Sequence, residues 1–216
     1  MSNVEKICYI VCALDCKMDI NLKSDDFVIG ADRGYQVLLE NGIKPNLAIG
    51  DFDSYEGDLV ADNIIKFPVK KDYTDCELAI MHAIEFGYKK IQIFGAIGGD
   101  LDHTLANIAI LAKYTELGID ISFVDGKKIV FALACGTARF SNEASGRISV
   151  FSAKDKVYGV VEKGLLYELD GAELEANTPL GVSNEFIGES SEISVKKGTL
   201  IIYTNRENYE KHLTAQ

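Results

Sequence analysis

The chain has 216 residues, 47% of them hydrophobic and 25% charged, a size and balance that suit one large or two small globular domains. Its formal net charge is −11, from 33 acidic and 22 basic residues, and so acidic a surface repels phosphate backbones, which argues against general nucleic-acid binding. No apolar run approaches the roughly 18 residues of a membrane span, and the cysteines (Cys8, Cys12, Cys16, Cys76, Cys135) contain no C-x-x-C pair, so they read as reduced thiols rather than a zinc site or disulfide framework.

The first apolar segment, KICYIVCAL (6–14), follows neither a basic leader nor a small-residue cleavage site, and reads as the first core strand of a cytoplasmic protein. Cys8 and Cys12 then share one face of it as small buried hydrophobes. Strands are predicted at DFVIGA (26–31), NLAIG (46–50), IIKFPV (64–69), KIQIFGA (90–96) and DISFVD (120–125). Helical patterns lie between them. Tyr35, Leu38 and Leu39 precede Gly42, a natural stop. Thr74-Asp75-Cys76-Glu77 has the form of a capping box, opening a helix through Leu78, Met81, His82 and Glu85 to Gly87. Asp102 precedes a helix from His103 to about Leu117, ended by Gly118. This alternation predicts a mostly parallel α/β sheet domain over 1–125.

After about residue 126 the helical patterns stop. KIVFALA (128–134), RISVFSA (147–153), VYGVVE (157–162), GLLYEL (164–169), SEISVKK (191–197) and TLIIYT (199–204) are short, β-rich and separated by turn residues. They predict a C-terminal antiparallel β-sandwich over 126–216, with the tail RENYEKHLTAQ (206–216) as a short helix or a frayed end.

Position is what makes the acidic residues informative. Asp32, Asp51, Asp53, Asp72, Asp75, Asp100 and Asp102 all fall just after predicted strands, where ligands of open α/β sheets bind. Singly, such an aspartate caps the next helix, and Asp32 and Asp102 fit that role. Asp51 and Asp53 in IGDFDS (49–54) fit it less well, since only one can be the cap. Converging carboxylates repel unless something positive joins them, and hard oxygen ligands point to Mg²⁺. Gly95, Gly98 and Gly99 supply a loop whose backbone N–H groups can approach phosphates. Arg33, Lys70 and Lys71 are nearby cations, the lysines being equally well explained as a solvated pair. Carboxylates, glycines and a few cations at one rim describe a metal–nucleotide site.

GADRG, NLAIGDFDS, KKDYTD and GAIGGDLDHTLAN occur in the order and spacing of thiamine pyrophosphokinases, and GLLYEL and NTPLGVSNEF (177–186) are similar to that family's thiamine-side motifs. The resemblance runs over nearly the whole chain. It implies a nucleotide-binding catalytic domain, a β-sandwich thiamine-binding domain, a homodimer whose sites are completed across the interface, and ATP plus thiamine giving AMP plus thiamine diphosphate. Position by position, Asp32, Asp51, Asp53, Asp75 and Asp102 match the family's acidic set, with Asp51, Asp53, Asp75 and Asp102 as the catalytic and Mg²⁺-binding group. Asp32 and Arg33, Lys71, Asp72 and Thr74, and Gly98 and Gly99 are expected on the nucleotide. Tyr167, Ser183 and Asn184 are expected near thiamine, Asn184 through pairing with an aminopyrimidine edge. Some family members carry a tryptophan in the GLLYEL region; this chain has none, and Tyr167 stands where that aromatic would be. Its face still attracts a thiazolium cation, although a core position in a period-2 strand would explain the same residue. The rivals are a diphosphokinase for another hydroxymethyl heterocycle such as a pterin, a metal-dependent glycosyltransferase suggested by Asp-x-Asp at 51–53, and a non-catalytic nucleotide or thiamine sensor.

Overall fold

The computed structural model describes residues 6–52, 60–68 and 72–215. The chain divides into two compact units, one of residues 1–110 with 119–126, the other of 111–118 with 127–216.

In the first unit, Ile7–Val11 (β1) is apolar throughout, with Cys8, Ile10 and Val11 buried. A strand with no polar face needs cover on both faces, and that is the signature of a central parallel strand. Accordingly β1 pairs in parallel with Phe27–Ala31 (β2) on one side and Lys90–Phe94 (β5) on the other. Beyond β2 lie Leu47–Gly50 (β3) and Asn63–Lys66 (β4), and beyond β5 lies Asp120–Asp125 (β6), all parallel. The strand order is therefore β6-β5-β1-β2-β3-β4. Chain progression reverses between β1 and β5, the kind of switch point that opens a crevice at the carboxyl ends of the strands.

Three helices accompany this sheet: Gly34–Glu40 (α1), Asp75–Glu85 (α2) and Leu101–Glu116 (α3), whose last turns, from Leu111, belong to the second unit. Thr74 caps α2 by accepting the Glu77 N–H at 3.2 Å, and Gly87 follows the helix with φ +80°. These are the start and stop that the sequence signals. Two glycines set how closely the strand exits pack. A Cβ on Gly34 would lie 1.9 Å from the Val11 carbonyl oxygen, and one on Gly50 would lie 3.0 Å from the Asp32 Cα. Gly50 thus serves close approach between two acid-bearing loops. All six predicted strands appear, four close to their expected ranges; KICYIVCAL and IIKFPV stop early, at Val11 and Lys66, and Val69 lies outside the described residues.

The second unit is built of antiparallel strands in two sheets. Asn184–Glu185 (β12), Arg147–Ser152 (β9), Thr199–Asn205 (β14) and Lys128–Ala134 (β7) form one, in that order. Leu169–Glu175 (β11), Lys156–Lys163 (β10), Ser191–Ser194 (β13), Thr137–Phe140 (β8) and Leu213–Ala215 (β15) form the other. Inward-facing residues from the two meet in aromatic contacts such as Phe140 with Phe186, ring centroids 5.3 Å apart.

The structure corrects the sequence in three places here. GLLYEL is a bend, not a strand, up to Leu169, where β11 begins: Gly164 has φ +67°, and Leu165 makes an isolated bridge to Phe186. Strands β8, β11, β12 and β15 lack a strong apolar run and were not expected. The tail is neither a plain short helix nor frayed. Asn208–His212 forms a turn of π-helix, with Tyr209 packed on Phe131, and β15 then pairs with β8.

Candidate active site

A pocket of about 280 Å³ opens at the carboxyl ends of β1, β2 and β5, where the strand order reverses. Cys12, Ala13 and Leu14 leave β1, Ala31 and Asp32 end β2, and Gly95 and Ala96 leave β5. Thr74, Asp75 and Cys76 enter from the start of α2, and Asp100, His103, Thr104 and Asn107 from the start of α3. Two helix N-termini and three aspartates share the pocket, and among the described residues no lysine or arginine lines it.

Each acid is placed by local backbone. Asp32 has φ +50°, a conformation that its short polar side chain tolerates. Its N–H donates to the Ile49 carbonyl at 2.6 Å and its own carbonyl accepts the Tyr35 N–H at 3.1 Å. Asp32 does not cap α1; Arg33 holds that position without a side-chain bond. Asp75 is the first residue of α2, fixed by the Thr74 cap before it. Asp100 ends the glycine loop, its carbonyl accepting the Thr104 N–H at 3.1 Å and the Thr104 hydroxyl at 3.2 Å. The same hydroxyl accepts the Gly98 N–H at 3.2 Å, so that amide is already engaged within the loop. Asn107 is buried and donates to the Ala96 carbonyl at 2.6 Å, tying α3 to the β5 exit. Hydrogen bonding with Cys76, followed by burial, holds the Cys12 thiol well above its ordinary range, so it is a neutral wall of the pocket.

Asp102 sits apart from this set. It lies in the first turn of α3, exposed, with its carboxylate accepting the His103 N–H at 2.8 Å, and it does not line the pocket. Asp100, which the sequence reading left out of its catalytic group, does. Asp51 follows β3 and is half-buried outside the lining. Arg33 pairs with Asp15 at 2.8 Å, both side chains more than half exposed. Asp72 is exposed, and Gly99 packs against the Leu14 side chain. Asp53, Lys70 and Lys71 lie outside the described residues.

For a divalent cation, the donors around the pocket have the right chemistry: the hard carboxylate oxygens of Asp32, Asp75 and Asp100. Among the described residues, no three His, Cys, Asp or Glu side chains are drawn together tightly enough to hold a metal alone. That arrangement suits Mg²⁺, which commonly takes one or two carboxylates and completes its shell with water and substrate phosphates.

In the second unit, the bend at 164–168 presents Tyr167 outward, 65% exposed, so it is not a core aromatic. Ser183 is exposed too, held at φ +61° with its N–H donating to the Ser149 hydroxyl at 3.0 Å. Asn184 is buried, and its amide is used internally. Its Nδ2 donates to Glu162 Oε2 at 2.8 Å and to the Tyr167 carbonyl at 2.6 Å, while its Oδ1 accepts the Tyr167 and Glu185 N–H groups, both at 2.9 Å. Pairing with an aminopyrimidine edge does not fit this placement; the amide holds the Tyr167 backbone instead.

Residues 19–123 match the family model for the thiamin pyrophosphokinase catalytic domain, and residues 139–200 match the model for its vitamin B1 binding domain. The chain is 32% identical over 181 residues to the thiamine pyrophosphokinase of Bacillus subtilis, covering 81% of this chain and 85% of that one. The chain belongs to the thiamine pyrophosphokinase family. Its structure resembles the crystal structure of the Bacillus subtilis thiamine pyrophosphokinase with a TM-score of 0.81 at 28% identity, over 92% of this chain and 98% of the other. The thiamin pyrophosphokinase from Geobacillus thermodenitrificans gives 0.78 at 29%, over 92% and 97%. As a thiamine pyrophosphokinase, the chain is a transferase that forms thiamine diphosphate. The catalytic-domain match spans Asp32, Asp51, Asp53, Asp72, Asp75, Asp100 and Asp102, and the B1-binding match spans Tyr167, Ser183, Asn184 and also Glu162. Neither Glu162 nor Asn107 was legible as a site residue in the sequence. Asp100 could have been found, since GGDLDH places two acids after one strand and only the nearer sits on the loop.

Proposed function

We propose that this chain transfers the diphosphoryl group of ATP to the primary hydroxyl of thiamine, releasing AMP, in an Mg²⁺-dependent reaction. The observation that carries the reading is the pocket at the strand switch point, lined by Asp32, Asp75 and Asp100 beside two helix N-termini. Helix N-termini favour phosphate, whereas carboxylates repel it, and a cation bound between them would reconcile the two. Asp51, Asp53, Asp75 and Asp102 are the set that the family pattern assigns to Mg²⁺, with Asp32 and Asp100 in the neighbouring pocket lining; an ion held there would supply neutralisation of the phosphate charge.

The remaining work falls to the chain itself. Thr74 fixes the start of α2 and so the direction of Asp75. Asp75 or Asp102 can accept the proton of the attacking hydroxyl, and a loose phosphoryl transition state asks little of a base. Attack at the β rather than the γ phosphorus is a question of where the nucleophile is held in line. Arg33 can exchange its exposed Asp15 partner for a phosphate oxygen at little cost, because a surface ion pair contributes only about 0–1 kcal/mol. Lys71, Asp72, Gly98 and Gly99 complete the nucleotide-side assignment. Residues 1–125 act as the nucleotide-binding domain and 126–216 as the thiamine-binding domain, where Tyr167 offers its exposed face to the thiazolium and Ser183 its hydroxyl. The working form is a cytoplasmic homodimer with sites completed between protomers. Exposed Leu166, Leu180, Val182 and Ile187 around Tyr167 are suited to cover by a ligand or a second copy.

The test is AMP formation from ATP and Mg²⁺, with and without thiamine, and with a pterin alcohol in parallel. One AMP per thiamine diphosphate, abolished by EDTA and restored by Mg²⁺, is expected. Thiamine-independent ADP, or turnover only with the pterin, overturns the assignment.

A further inference from the structure

Glu162 is a carboxylic acid with no exposed surface, on β10. Burying such a group costs free energy unless its oxygens are bonded. Among the described residues only one of them is: Oε2 accepts from Asn184 Nδ2 at 2.8 Å, while Oε1 finds no hydrogen-bond partner there. The strands beside β10 bring no cation to it, and Oε1 faces Gly181, where a Cβ would come within 3.2 Å. Burial pushes its carboxyl up to about 7, with the Asn184 bond pulling the other way. A residue this costly, at a site where leucine would pack, calls for an explanation beyond packing.

Its single bond shows where the cost is spent. The Asn184 amide that Glu162 orients binds both backbone polar groups of Tyr167, the N–H at 2.9 Å and the carbonyl at 2.6 Å. The bend is closed by the Gly164 N–H on Glu168 Oε1 at 2.8 Å and by the Leu166 N–H on the Glu185 carbonyl at 3.0 Å. Without an acceptor behind it, the second Nδ2 hydrogen of Asn184 is left buried without a partner, which weakens the hold of the amide on the Tyr167 backbone. We propose that Glu162 is a positioning residue for thiamine: through Asn184 it fixes the backbone of Tyr167 and so the outward aromatic face that receives the ligand. This rests on the reading of thiamine as the acceptor substrate. Glu162 touches no ligand itself; its effect is on how often the bend is ready to bind.

The experiment is steady-state kinetics on the full chain with Glu162→Gln, Glu162→Ala and Glu162→Leu, varying thiamine and ATP separately. Gln keeps an acceptor for Asn184 and is expected to hold the thiamine KM within about twofold of the unsubstituted chain. Ala and Leu remove it and are expected to raise that KM about tenfold or more, leaving the ATP KM unchanged. Leu keeps the volume, so a folding failure in Ala leaves the question decidable. Equal rises in the thiamine and ATP constants, or a thiamine KM in Leu equal to that of the unsubstituted chain, overturn the proposal. If the unsubstituted chain makes AMP without any need for thiamine, the functional assignment fails first, and the two failures are distinct.

Discussion

Glu162→Gln also makes a prediction about stability that needs no substrate. In the unfolded chain the Glu162 carboxyl titrates near 4.5, and in the folded chain burial raises that to about 7. Below the first value both states are protonated and pH has no effect through this group. Between the two the unfolded chain ionises while the folded chain keeps its proton, so the native state binds more protons and stability falls as pH rises. Above about 7 the folded carboxyl ionises as well and the loss levels off, at about 3 kcal/mol in all. Glutamine has no proton to lose. The acid end of the experiment is limited by solubility near the chain's low isoelectric point, which makes pH 5.5 to 8.5 a practical range. Over that range about 2 kcal/mol of the loss remains to be seen. Urea denaturation of both proteins, followed by far-UV circular dichroism and tyrosine fluorescence, gives the two pH profiles. The stability of Glu162→Gln relative to the parent is expected to rise by about 2 kcal/mol from pH 5.5 to 8.5. Profiles that stay parallel would mean that Glu162 is ionised, or solvated, throughout and that the burial argument is wrong.

Asp32→Asn and Asp75→Asn are each expected to lower kcat by at least about a hundredfold with circular dichroism unchanged, as loss of charge stabilisation at a phosphoryl site does; near-normal kcat at saturating Mg²⁺ would remove them from the site. Because Asp100 lines the pocket and Asp102 does not, Asp100→Asn should cost at least as much activity as Asp102→Asn, and a much smaller loss in Asp100→Asn would show that lining the pocket does not mark the working acids. Thr74→Ala removes the α2 cap and should cost about 1 kcal/mol in urea denaturation. Gly34→Ala forces a Cβ against the Val11 carbonyl and should leave no soluble folded protein; a fold with ordinary stability would show that β1 and α1 can separate.

The alternation of apolar runs and capping signals was enough to define the parallel sheet, since fully apolar strands such as Ile7–Val11 and Leu47–Gly50 can only lie between covered faces. It also placed the acids at strand exits, because a side chain's position along a strand is a local property. Four things were beyond it. The weak strands Thr137–Phe140 and Leu169–Glu175 owe their pairing to neighbours far away in sequence, not to their own composition. The β1–β5 switch point, which selects Asp32, Asp75 and Asp100 from the wider set of aspartates, exists only once strand order is known. GLLYEL alternates like a strand, yet Gly164 and the Asn184 amide hold it in a bend with Tyr167 outside. Glu162, in a strand of ordinary polarity, gave no sign that it would be buried beside that amide. The sequence by itself determined which elements form and which chemistry they carry, because helix, strand and cap are set by near neighbours. Which carboxylates share a pocket, and which amide is spent inside the fold, were decided only by tertiary structure, because those residues lie 17 to 68 positions apart in the chain.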